Sequence, residues 1–169
     1  MDLAVVAMPA SKIKHEIHPL TKDEIYLVVP KYHPVMKKTH DKPDGRGYWI
    51  DLKDTVEYPY ILSGYYTILG RYARKLFKQQ DLTVHVLHDN ITARMAASMA
   101  MEGLGLSFTY ASCIGPGEKY ELLSIGEEGV FLDLGIAYPT NEYHPQSVLR
   151  MEDVIREVYQ SLDLSHTPE

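Results

Sequence analysis

The stretch from Tyr58 to Gln80, YPYILSGYYTILGRYARKLFKQQ, decides how the chain folds. Tyr58 to Gly64 reads as a short strand, and the residues after it switch to helical spacing. Tyr65, Ile68, Leu69, Tyr72, Ala73, Leu76 and Phe77 fall on one helical face, while Arg71, Arg74, Lys75 and Lys78 fall on the other. Ser63 stands at the expected N-cap, where a hydroxyl satisfies a first-turn amide. A strand feeding directly into an amphipathic helix is the repeating unit of an α/β protein.

The same alternation extends in both directions. Leu82 to Asn90 (LTVHVLHDN) alternates like a two-faced strand, and Asp89 or Asn90 is placed to cap a following helix that carries Ile91, Met95, Ala96 and Met99. That helix is expected to stop at Gly103 with a left-handed C-cap, after which GLGLSFTY enters another strand. Two strand-like runs follow the turn GPGEKY: YELLSI, and VFLDLGIAYP from Val130 to Pro139. A closing helix begins near Pro145, with Val148, Met151, Ile155, Val158 and Leu162 on one stripe, and SHTPE at the end reads as a frayed tail. Upstream, DLAVVAMPA (Asp2 to Ala10) reads as a buried strand and EIYLVVP (Glu24 to Pro30) as an apolar strand stopped by proline. KPDGRG between them and Tyr58 is a solvated turn.

Composition narrows the function. A chain of 169 residues suits one ordinary domain, burying roughly 70% of its unfolded surface. The single cysteine excludes an internal disulfide framework and a four-cysteine zinc site, which suits a reducing cytoplasm. No apolar run approaches the ~20 residues of a membrane span, and no signal peptide is visible. A net charge of −6 argues against nucleic-acid binding by these residues.

Most candidate constellations reduce to ordinary chemistry. HEIH (His15 to His18) spaces its histidines three apart beside Pro19, not four apart on a helix as a metalloprotease needs. His85 and His88 point to opposite faces of a strand, so no metal site is expected. Cys113 lacks a base at useful spacing and reads as a small buried residue. GRG and GLG lack the further glycine or lysine of a phosphate loop, and no cofactor is expected. Ser63-Gly64-Tyr65 is the exception, because a helix start with a hydroxyl and a glycine offers free amides and a positive helix end to a carboxylate or phosphate. A second such turn at Asp89, Asn90 and Ile91 is placed to join it, since ligands gather at the carboxyl ends of strands in open α/β sheets.

The order of motifs resembles a known family. DLAVV, then LTKDEIYLVVPKYHPV, then IDLKD before YPYILSG, then MEGLGLSF, is similar to the effector-binding domain of LysR-type transcriptional regulators over Asp2 to about Leu162. The resemblance implies a periplasmic-binding-protein type II fold: mixed sheets flanked by helices in two lobes, with a small effector between them. Residues 1–30 and about 129–169 would form part of lobe I, and about 31–128 a complete lobe II. The helix-turn-helix DNA-binding domain and the first units of lobe I would be absent, so DNA would be reached only through that absent domain. Carried over residue by residue, the effector site would comprise Met8 and Pro9 after the first strand, Ser63, Gly64 and Tyr65, and Asn90. Tyr110 stands near the place where the family commonly has proline. The apolar surface left around Ala4, Val6 and the closing helix favours association. A homodimer through lobe II is expected along the helix from Tyr65 to Gln79 and the strand from Leu82 to His88.

The resemblance therefore implies a cytoplasmic ligand-sensing module, binding a small anionic metabolite to modulate DNA binding and transcription, with no catalytic residues and no membrane contact. The alternatives are a small enzyme, which needs an acid-base pair at convincing spacing, or a stand-alone small-molecule-binding protein on the same fold.

Overall fold

The computed structural model describes residues 3–8, 16–138 and 145–162. In chain order the elements are β1 (Ala4–Ala7), β2 (Glu16–Pro30), β3 (His40–Asp41), β4 (Tyr48–Ile50), β5 (Tyr60–Ser63), α1 (Ile68–Gln79), β6 (Val86–Ile91), α2 (Ala93–Met101), β7 (Ser107–Tyr110), β8 (Tyr120–Ile125), β9 (Val130–Tyr138) and α3 (Gln146–Ser161). They divide into two compact units: Met1–Glu24 with Phe131–Glu169, and Ile25–Val130.

In the first unit β1 pairs antiparallel with β9, Ala4 opposite Ala137 and Ala7 opposite Leu134. The first half of β2 lies on the other side of β9. Ile136, Tyr138 and Val148 form its core, with Leu3, Leu20 and Ile155 packed against them. The expectation of a buried strand over residues 2–10 is corrected here: β1 is four residues long, and Val5 is 39% exposed. It is an edge strand, so one of its sides meets no neighbouring strand among the described residues. The stripe expected on the closing helix also divides, because α3 seats on Val148 and Ile155 and leaves Met151 and Val158 exposed. Beneath α3, the Glu152 carboxylate accepts hydrogen bonds from the Tyr138 hydroxyl and from Arg156 (Nε at 2.9 Å, Nη2 at 2.6 Å). That polar anchor sets the rotation of the helix.

The second unit is built around the buried half of β2. β7 flanks it antiparallel, with Ile25 opposite Tyr110 and Val28 opposite Ser107. β8 flanks it antiparallel as well, with Tyr26 opposite Ser124, and is followed outward by parallel β4 and then β3. β5 and β6 form a separate parallel pair, with Tyr60 opposite Val86 and Ser63 opposite Ile91, and Tyr60 also bridges to Leu106 just before β7. α1 buries Leu69, Gly70, Ala73 and Phe77. There the Tyr60, Phe77 and Phe108 rings meet at centroid distances of 5.0 to 5.7 Å, a geometry that adds to simple area burial. α2 buries Ala96, Ala97 and Ala100. Met95 is 55% exposed instead, and Ile91 belongs to β6 rather than to the helix. Small alanines let the helix approach the sheet closely, which the bulkier methionines do not. Gly103 has φ +83, and the Leu104 N–H donates to the Met99 carbonyl at 3.1 Å, so α2 ends in the left-handed cap the glycine predicts.

Candidate functional site

Parallel pairing places the carboxyl ends of β5 and β6 side by side, and each strand turns into a helix there. Both helices are capped by threonine. Thr67 Oγ1 accepts the Gly70 N–H at 2.9 Å, and Thr92 Oγ1 accepts the Met95 N–H at 3.2 Å. Ser63 is therefore not the N-cap of α1, nor do Asp89 and Asn90 cap α2. The chain needs Gly64 to Tyr66 to turn from strand to helix, and Thr67, at φ −83 and ψ 150, is the last extended residue before the helical ones. Ser63 instead ends β5, 5% exposed, with its Oγ 3.1 Å from Thr67 Oγ1.

The turn is tied down from three sides. Its Gly64 N–H donates to the Ile91 carbonyl at 3.2 Å, and the Gly64 carbonyl accepts the Thr67 N–H at 3.0 Å and the Thr67 hydroxyl at 2.8 Å. From α1, Arg74 Nη1 donates to the carbonyls of Ser63 (3.0 Å) and Gly70 (2.8 Å). Arg74 Nη2 lies 3.7 Å from the Asp89 carboxylate, and the guanidinium stacks 3.7 Å from the centroid of the Tyr65 ring. α1 lies very close to the turn: a Cβ at Gly70 would stand 2.3 Å from the Gly64 carbonyl oxygen and 2.5 Å from that of Ser63. Only glycine permits that approach.

What the turn offers to solvent is polar, with the Arg74 guanidinium and the Asp89 carboxylate side by side. Tyr65 and Tyr66 are 60% and 89% exposed. Beside them Asn90 places Oδ1 3.4 Å from the position of a Cβ on Gly64. Since Thr67 takes only the Gly70 N–H, the amides of Ile68 and Leu69 have no intrahelical acceptor, as at any helix start. These amides, the helix dipole and the Arg74 guanidinium give the turn the potential of an anion site. A cavity of about 410 Å³ opens beside Arg74, lined by Tyr65, Phe77, Leu82, Val86 and Asp89 among others.

Ser63, Gly64, Tyr65 and Asn90 thus come together, although Tyr65 lies in the turn and not on a helical face. Met8 belongs to the first unit, where its N–H donates to the Asp133 carbonyl at 2.8 Å. Pro9 lies outside the described residues. Tyr110 sits on β7 opposite Ile25, packed against the core. Thr67 and Arg74 are site residues that sequence reasoning misses, whereas Asp89 stands in the second turn it singled out. Arg74 falls on the charged face of an amphipathic helix, and nothing local shows that its side chain folds back over the preceding turn. Cys113 is exposed, not buried, because it closes a turn after β7 in which its N–H donates to the Tyr110 carbonyl at 3.0 Å. His88 lies within β6, whereas His85 precedes it. Among the described residues no group of three metal-ligating side chains is present, and no helix is long and apolar enough to cross a membrane.

The family model described as the LysR substrate binding domain matches residues 1–160. The chain belongs to that family. Solved structures agree in fold. The CcmR regulatory domain of Synechocystis PCC6803, in complex with 2-PG, has a TM-score of 0.75 at 15% identity, over 95% of this chain and 74% of that one. The effector binding domain of QuiR in complex with shikimate has a TM-score of 0.73 at 23% identity, over 95% of this chain and 73% of that one. The BenM effector binding domain with its effector benzoate has a TM-score of 0.71 at 15% identity, over the whole of this chain and 73% of that one. No curated protein matches the sequence. The LysR substrate-binding fold is of the periplasmic-binding-protein type II kind, and the mixed sheet with three helices bears out the α/β reading. Its role is effector sensing within transcriptional regulators, which are not an enzyme family.

Proposed function

We propose that this LysR domain binds a small anionic metabolite at the Ser63–Thr67 turn, and that the bound state modulates DNA binding by the regulator. The observation that carries the reading is the turn itself. First-turn amides of α1, the Asn90 amide and the Arg74 guanidinium, with Asp89 beside it, meet next to two exposed tyrosines at the carboxyl ends of two parallel strands. The effectors in the solved complexes of CcmR, QuiR and BenM are 2-PG, shikimate and benzoate, and they supply the chemical class to try first. Met8, Pro9 and Tyr110 remain site candidates on the family resemblance alone. In this reading the domain is cytoplasmic, performs no catalysis, and shifts between effector-free and effector-bound populations.

The experiment is a thermal-shift panel of small carboxylates and phosphate esters, each paired with its neutral amide or alcohol. The expected result is a rise in Tm with at least one anion and none with its neutral partner, reduced in Ser63→Ala and Asn90→Ala. Stabilisation by neutral compounds alone would refute the anion reading.

A homodimer through the second unit, along α1 and β6, belongs to the same proposal. β6 pairs only with β5, and its other edge is open among the described residues, with Leu87 44% exposed. An open strand edge next to apolar surface is a natural pairing site. Leu87→Asp is expected to lower the solution mass, and an unchanged mass would remove this face from the interface.

A further inference from the structure

α3 carries a second apolar stripe that its own unit leaves uncovered. Val148, Glu152 and Ile155 face the sheet, while Met151, Val154 and Val158 are 52%, 50% and 49% exposed. With Ser147, these residues stand at positions 147, 151, 154 and 158, alternating steps of four and three. That is the 3.5-residue repeat of a coiled-coil seam, distinct from the face that seats the helix on its sheet. The residue just before each of two seam positions is charged: Arg150 precedes Met151 and Glu157 precedes Val158. Both are exposed, and neither has an ion-pair partner among the described residues.

We propose that this face docks on the same face of a second copy of the chain, the two α3 helices running antiparallel. The charges select that occupant and that direction. Arg150 and Glu157 flank the seam on the same side, so the patch carries one charge of each sign and favours neither an acidic nor a basic partner. In an antiparallel pair the flanking positions of like type meet across the seam, which sets Arg150 beside Glu157 of the second copy and repeats the contact by symmetry. A parallel pair would instead set Arg150 toward the position of Ile155, which is already packed in the core. In the antiparallel register Met151 packs on Val154 of the second copy, Val154 on its Met151, and Val158 over its Ser147. This contact lies on the first unit and is separate from the one proposed along β6.

Sedimentation of the whole chain at high micromolar concentration tests it. Val154→Asp, at a half-exposed position, is expected to halve the mass while leaving the circular dichroism spectrum unchanged. The species left by Val154→Asp is the β6 dimer if that contact also forms and the monomer if it does not, so failure of either contact is seen separately. Arg150→Glu and Glu157→Arg are each expected to weaken association several-fold, and the double exchange to restore it. A mass unaffected by Val154→Asp would give the face to another occupant and overturn the proposal, as would a double exchange that fails to restore association.

Discussion

Gly70→Ala is the sharpest test of how the turn is held. In an ordinary helix interior the change from glycine to alanine gains ~1 kcal/mol from propensity alone. Here the new methyl would stand 2.3 Å and 2.5 Å from two backbone carbonyl oxygens and 2.9 Å from Thr67 Oγ1, where no flexible side-chain end can yield. Relieving such overpacking costs ~1–3 kcal/mol, and shifting the Thr67 cap costs ~1 kcal/mol more. The net expectation is a loss of about 2 kcal/mol, which at an m-value of ~2 kcal/mol/M lowers the urea midpoint by about 1 M. Gly64→Ala is the control, because its Cβ would meet Asn90 Oδ1 at 3.4 Å and the Tyr66 ring at 3.8 Å, both ordinary contacts. Gly64 is buried, but with no contact closer than these the loss is expected to stay below the ~1 kcal/mol at which overpacking begins. Urea unfolding followed by circular dichroism reads both variants. A Gly70→Ala protein as stable as the parent, or more stable, would refute the close approach of α1 to the turn.

Thr67→Ala is expected to cost ~1 kcal/mol through the lost cap, and Thr67→Ser to retain most of it; equal midpoints for Thr67→Ala and the parent would return the capping role to Ser63. Arg74→Met keeps the stem but loses the hydrogen bonds to the Ser63 and Gly70 carbonyls, for a cost of about 1–2 kcal/mol. Its Tyr65 and Tyr66 amide signals should broaden by NMR. In the first unit the hydrogen bond to Glu16 raises the His18 pKa above 6.5 against the opposing effect of burial, and Glu152 adds to the rise. A raised folded-state value means that the His18 contribution is fully present below the unfolded pKa and is lost as pH rises through the folded one. Because His18 is partly exposed the effect is small, and His18→Gln should flatten the urea midpoint across that window; an identical slope in the variant would remove His18 as its source.

The alternation of strand and helix from β5 to β7 was legible because each element carries its own period, and glycine marks the turns at Gly64 and Gly103. The left-handed cap at Gly103 was legible for the same reason. Boundaries at the site were not. Tyr65 fits the apolar face of α1 by spacing, but the three residues after Ser63 are consumed in turning the chain, so the cap falls on Thr67. Burial of Ala96 in place of Met95 depends on how closely α2 approaches its sheet, which a periodicity cannot show. The stripe on α3 mixed two faces, because a helix that seats on one side and exposes apolar residues on the other looks like one broad face in sequence. Arg74 was hidden most completely, since it donates its hydrogen bonds to the main-chain carbonyls of Ser63 and Gly70, which carry no sequence signature.

As proposed above, the Ser63–Thr67 turn is an anion-binding effector site. The most direct measurement is a ¹⁵N-edited NMR titration of the chain with a panel of small carboxylates and phosphate esters that includes benzoate, shikimate and 2-PG. At least one of them is expected to produce saturable shifts in the amides of Tyr65, Tyr66, Ile68 and Leu69, and these shifts are expected to weaken in Asn90→Ala. A panel in which every bound anion leaves those four amides unmoved would contradict it.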